Sequence, residues 1–109
     1  MKTYDYRQFD PLVHSRIRLS VLAILVSVDD AEFTYLRDQV RATDGNLGAH
    51  LRKLENGGYV QVTKHFVNRK PHTRYRVTRA GRDAFRKYVD NLERLLHAAP
   101  KDLEGKAAG

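Results

Sequence analysis

The chain changes its hydrophobic period twice, and that double switch restricts its fold more than any other feature. From Leu12 to Leu54 apolar residues recur at three- and four-residue intervals, the spacing of helices that bury one stripe. From Tyr59 to Val77 the spacing becomes two, in the runs Tyr59–Phe66 and Thr73–Val77 on either side of Asn68-Arg69-Lys70-Pro71, which reads as a hairpin. From Thr78 onward the helical spacing returns. An isolated two-stranded hairpin is marginal in water, so this one must lie against the helices that flank it. The expected class is mainly α with a small β-hairpin.

Local signals divide the helical part. Asp10-Pro11 reads as a helix start, because Asp can cap free amides and Pro loses no hydrogen bond at the first helical position. Leu12, Val13, Ile17, Val21, Ile24, Leu25 and Val28 then form one stripe up to a break at Asp29-Asp30. Thr34 is the expected cap of a short second helix facing inward through Leu36 and Val40, and Arg41-Ala42-Thr43 turns the chain into a third helix. That third helix, 44–56, carries Leu47, Leu51 and Leu54 on its buried face, shows Asn46, Ala49, His50 and Lys53 on the other, and stops at Gly57-Gly58. Two short helices joined by a tight turn are the outline of a helix-turn-helix. Thr78 caps a last helix whose Ala84, Phe85, Tyr88, Val89, Leu92, Leu95 and Leu96 form a seam of near-heptad spacing. We expect one domain over 1–97, including an N-terminal arm 1–9, and a disordered tail over 98–109, where the period is lost.

Charge points to a polyanionic partner. The 109 residues carry 20 Lys and Arg against 13 Asp and Glu, a net +7. Between Arg52 and Arg76 the basic residues Arg52, Lys53, Lys64, Arg69, Lys70, Arg74 and Arg76 meet one acid, Glu55, so most of the excess lies in a quarter of the chain. A merely solvated surface would intersperse both signs, whereas a nucleic-acid footprint clusters one. Cysteine is absent, which removes a disulfide framework, thiolate metal ligands and a cysteine nucleophile. No signal-peptide core or bilayer-length apolar run occurs, so a cytoplasmic protein without membrane association is expected.

The segment Asn46-Leu47-Gly48-Ala49-His50-Leu51-Arg52-Lys53-Leu54-Glu55-Asn56-Gly57-Gly58-Tyr59-Val60 resembles the recognition helix and first wing strand of MarR-like and ArsR-like regulators. Tyr75-Arg76-Val77-Thr78-Arg79-Ala80-Gly81-Arg82-Asp83-Ala84-Phe85 is similar to the second wing strand and following helix of small stand-alone winged-helix regulators. With their spacing, these segments cover most of Leu12 to Leu96. The resemblance implies a winged helix-turn-helix with a three-helix core, a two-stranded wing and a long C-terminal dimerisation helix. It also implies transcriptional regulation, with repression the commoner outcome. Gly48 stands where relatives usually carry serine, so a hydroxyl contact is missing.

Chemistry assigns roles within that frame. Asn46 and His50 can hydrogen-bond base edges in a major groove, with Ala49 on the same face. Thr43 and the amides at the helix start can hold a phosphate, and Arg52 and Lys53 can reach backbone oxygens. Lys64, Arg69, Lys70 and Arg74 on the wing, 64–74, are expected at the adjacent minor groove. The seam residues Phe85, Tyr88, Val89, Leu92, Leu95 and Leu96 are expected to join two copies, since a three-helix core cannot cover them all. The partners expected are double-stranded DNA and a second copy of the chain.

Other signals weigh less. His65 and His72 can face each other across the hairpin, but without further ligands they do not make a zinc site. Asp29, Asp30 and Glu32 read as a polar turn rather than a cation site. Ser15, Ser20 and Ser27 all lie in the first helical segment, and no glycine-rich phosphate loop occurs, so neither catalysis nor a cofactor is expected. Tyr4, Tyr6 and Phe9 read as packing residues of the arm. The competing classes are a winged-helix protein-interaction module, disfavoured because interface centres deplete lysine, and a non-specific nucleic-acid binder.

Overall fold

In the computed structural model the backbone is described for residues 9–108 and the side chains for residues 9–97. Helix α1 spans Arg16–Val28, strand β1 Asp30–Glu32, helix α2 Phe33–Val40, helix α3 Asp44–Asn56, strand β2 Val60–Val67, strand β3 Lys70–Val77 and helix α4 Arg79–Ala108. The strands form one antiparallel sheet in the order β1-β3-β2. The helices and hairpin follow in the order of a winged helix. The backbone of α4 continues past position 98, where the sequence loses its apolar period.

The core forms where the helical stripes meet the base of the hairpin. Val21, Leu22 and Leu25 of α1, Leu36 of α2 and Leu47, Leu51 and Leu54 of α3 are fully or almost fully buried, and Val60, Tyr75 and Val77 close the cluster from the sheet. A buried aliphatic side chain contributes about 1.5–3 kcal/mol, so these three-to-four spacings are where the sequence commits most of its folding energy.

Several boundaries differ from the sequence reading. The Asp10-Pro11 signal starts a turn, not α1. Asp10 Oδ1 accepts from the Leu12 amide at 2.9 Å and its carbonyl accepts from Val13 and His14, after which Ser15 caps α1 by accepting from the Arg18 amide. Val13 still reaches the core, fully buried, because the turn delivers it there without helical continuity. Thr34 does not cap α2; Glu32 holds the cap position but its side chain makes no capping bond, and Thr34 lies in the first turn. Asp30–Glu32, read as an inter-helix turn, pairs with β3 in the register Asp30↔Arg76, Ala31↔Tyr75 and Glu32↔Arg74. The two-stranded wing thus stands on a three-stranded base.

The hairpin turn is also tighter than Asn68–Pro71. It comprises Asn68 and Arg69 alone, both at positive φ (52° and 67°), and Lys70 and Pro71 belong to β3 opposite Val67 and Phe66. Left-handed conformation at both central residues is that of a type I′ turn, whose twist matches the strands. Proline is tolerated at 71 because β1 reaches only as far as Arg74, so that stretch of β3 has an open outer edge.

At the far end, Thr78 caps α4 as expected, its Oγ1 accepting from the Gly81 amide at 3.0 Å while donating to the Gly58 carbonyl at 2.7 Å. A Cβ on Gly81 would collide with the Tyr59 carbonyl, so this position holds α4 close against the start of β2. The seam of α4 is divided between two environments. Tyr88 is buried inside the domain, 4.9 Å from the Phe9 ring and hydrogen-bonded through its hydroxyl to His14 Nδ1 at 2.8 Å. Phe85, Leu92 and Leu95 pack partly on the core, and Leu96 is 57% exposed. Phe9 of the arm therefore packs on its own α4; Tyr4 and Tyr6 lie outside the described residues.

Candidate nucleic-acid interface

Thr43 sets the start of α3, accepting from the Asn46 amide at 3.1 Å. Its oxygen accepts at that cap, and the Asp44 carboxylate occupies the same first turn, bound by Arg37 at 3.0 Å. The helix start is therefore less free for a phosphate than the bare dipole suggests. With Leu47, Leu51 and Leu54 turned into the core, the outward arc of α3 presents Gly45, Asn46, Ala49, Arg52 and Lys53, all exposed. A Cβ on Gly48 would meet nothing within 4 Å, so no contact inside the chain requires glycine there.

His50 departs from the expected placement. It is half-buried on the flank of α3 that faces α1, rather than on the outward arc, and its Nδ1 lies 2.9 Å from Arg18 Nη1. Burial, and then the charges of Arg18 and Lys53, push the imidazole below its ordinary pKa. Arg18 was not legible as a site residue: it lies in a helix where charged residues usually face water, and the bond spans 32 positions.

The sheet sorts the wing's basic residues by position. On the outer face at the base, Arg74 donates to Asp30 Oδ1 at 2.7 Å and to Glu32 Oε1 at 3.4 Å. The Arg74 bond is the main reason the Asp30 carboxyl is held below its ordinary pKa, and the His72 bond, 2.8 Å from Glu32 Oε2, does the same for Glu32. Arg74 is thus the cation of a network within the chain, paired with Asp30 and Glu32 at the base of the wing rather than free at its tip. Asp30 and Glu32 supply that network, while Asp29 holds Arg82 at 2.6 Å. His65 stacks on His72 with ring centroids 5.6 Å apart. Among the described residues no group of three or more side chains is placed to hold a metal ion.

Toward the tip, Lys64, Arg69 and Lys70 are exposed and pair with no acid among the described residues. Phe66, opposite Pro71, is 73% exposed and was missed by sequence reasoning. Alternation assigns it to the core face of β2, with Val60 and Val62, but the helices no longer cover the strand that far out. At the other end of β2, the Tyr59 hydroxyl donates to Asp10 Oδ2, which together with burial raises the phenol to about 12 and ties the hairpin to the turn before α1.

This geometry has close counterparts. A family model described as a winged helix DNA-binding domain matches residues 17–96. An uncharacterised protein of Methanocaldococcus jannaschii is 36% identical over 84 residues, 77% of this chain and 91% of that one. Among solved structures, a transcriptional regulator homologue from Pyrococcus horikoshii superposes with a TM-score of 0.77 at 25% identity, covering 82% of this chain and 88% of its own. A MarR-family transcriptional regulator from Silicibacter pomeroyi shares the fold with a TM-score of 0.60 at 20% identity, over 94% of this chain and 71% of its own. Among the described residues no helix is long and apolar enough to cross a membrane.

Proposed function

This chain belongs to the winged helix DNA-binding domain family, and from that premise we propose that it is a transcriptional regulator which binds double-stranded DNA sequence-specifically as a homodimer. The observation that carries the reading is the pairing of an exposed polar arc on α3 with a wing tip whose three cations have no acid partner among the described residues. In this reading α3 enters a major groove, where Asn46 reads a base edge and Ala49 lies against base or methyl surface. Arg52 and Lys53 bind flanking phosphates, Thr43 borders one, and His50 contacts the DNA from the α1 side. Lys64, Arg69 and Lys70 bring positive charge to the neighbouring minor groove.

Two copies join through the outer part of the α4 seam, with Leu96 at its centre and Phe85, Val89, Leu92 and Leu95 alongside; Tyr88 stays within its own domain. A symmetric dimer of this kind reads half-sites about 10 base pairs apart. Residues 1–97 form the DNA-binding unit and 98–109 take no part in it. Promoter occupancy represses transcription, in the cytoplasm and without enzymatic activity.

Selection of purified protein on randomised duplex DNA, at moderate and then high salt, tests this. A two-fold symmetric motif that survives the salt increase is the expected result. Weak, motif-free binding that disappears with salt would replace it with non-specific electrostatic association. Asn46→Ala should change the preferred base at one position of each half-site, and an unaltered motif would remove Asn46 from the readout.

A further inference from the structure

We propose that Arg18 holds His50 in the neutral tautomer with its proton on Nε2, so that α3 offers DNA a hydrogen-bond donor here and selects an acceptor; the DNA half of this rests on the function proposed above. Arginine donates through every nitrogen and accepts through none. With Arg18 Nη1 2.9 Å from His50 Nδ1, the imidazole nitrogen must accept, and in a neutral ring the proton then sits on Nε2.

The arginine is itself fixed. Its Nε donates to the Leu12 carbonyl at 2.6 Å and its Nη2 approaches the Pro11 carbonyl at 3.4 Å, both in the turn that precedes α1. A second proton on the ring would have to displace this bond and would sit beside the charges of Arg18 and Lys53, the same charges that, after burial, hold the imidazole below its ordinary pKa. A neutral histidine free to rotate offers DNA either a donor or an acceptor. One whose Nδ1 is occupied offers only Nε2–H.

The complementary groups on DNA are guanine N7 and O6, adenine N7, thymine O4 and phosphate oxygens; the amino groups of cytosine and adenine are not. Arg18 is then a positioning residue, acting on recognition from a different helix through the ring it orients.

Two-bond nitrogen–proton correlation NMR on the free protein tests the first half without DNA. We expect an unprotonated Nδ1 and a protonated Nε2 for His50, and in Arg18→Ala a shift toward mixed tautomers with a higher pKa. Arg18→Lys, which keeps a donor and a charge, should restore part of the wild-type signature. A protonated Nδ1 in the wild-type protein would overturn the proposal even if no Arg18 variant folds, as would a well-folded Arg18→Ala with unchanged His50 signals.

The second half uses the selected operator. Losing one donor–acceptor contact should weaken binding by roughly three- to tenfold. That loss is expected with 7-deazapurine at one base position if the acceptor is a purine N7, with an altered carbonyl edge if it is guanine O6 or thymine O4, and with methylphosphonate at one linkage if it is a phosphate. His50→Gln, which can still donate, should keep more affinity than His50→Leu. Equal affinities for these two variants, or full affinity after every acceptor substitution, would overturn the readout. A protein that binds no DNA at all would overturn the proposed function and leave the tautomer decided by the NMR result.

Discussion

Arg74 and Arg69 occupy the same hairpin and differ in what surrounds them. Arg74 stands over β1, where it pairs with Asp30 at 2.7 Å and with Glu32 at 3.4 Å. Arg69 stands in the turn, beyond the reach of any helix or third strand, exposed and with no acid partner among the described residues. Arg74 at the base of the wing is therefore held by acids of its own chain, whereas Arg69 at the tip meets none among the described residues. Counting basic residues along the chain merges the two groups; sheet register separates them.

The comparison breaks first, and most visibly, on DNA affinity. Replacing Arg69 and Lys70 together by alanine should weaken binding about tenfold or more at moderate salt and lower the log–log salt slope by about 2. Thermal stability should stay the same. An unchanged slope in a salt titration would mean that the tip does not meet phosphate.

Arg74→Ala should do the reverse, lowering the melting temperature while leaving the salt slope intact, as checked by thermal unfolding beside the same titration. If it instead reduced the slope as Arg69→Ala does, base and tip would share one role.

Acid sharpens the same point. Asp30 and Glu32 are held below their ordinary values of 3.8 and 4.5. Their contribution to stability is complete above those ordinary values and is lost as pH falls through the depressed folded ones. The wild-type protein should thus lose melting temperature more steeply below about pH 4 than Asp30→Asn/Glu32→Gln, whose curve should be flatter. Parallel curves would show that the network contributes nothing to folding.

The smallest effect concerns the turn. Arg69 has φ near 67°, a conformation that costs a non-glycine residue roughly 1 kcal/mol. Arg69→Gly should leave stability unchanged or raise it by up to about 1 kcal/mol, while weakening DNA binding as alanine does. A drop in melting temperature would assign Arg69 a structural contact of the kind Arg74 has.

Much of the fold was legible because its signals are local. The stripe through Val21, Leu25, Leu36, Leu47, Leu51 and Leu54 predicts the core, Thr78 predicts its cap, and the switch to period two predicts the hairpin. Strand β1 was not legible, because three residues with two acids carry no period and become a strand only by pairing with β3. For the candidate site, exposure was legible along the outward arc of α3 and at the wing tip. The half-burial of His50 and the ion pairs of Arg74 were not legible, because each depends on a partner far away in the chain.

By itself, then, the sequence determined the order and kind of the main elements and the clustering of positive charge, since helical and strand periods, caps and composition are properties of neighbours. Only the tertiary structure decided which of those charges meet an acid and which nitrogen of His50 faces a guanidinium. Arg74 meets Asp30 across 44 positions and Arg18 meets His50 across 32. A side chain's availability to a ligand depends on whether such a contact has already taken its donors.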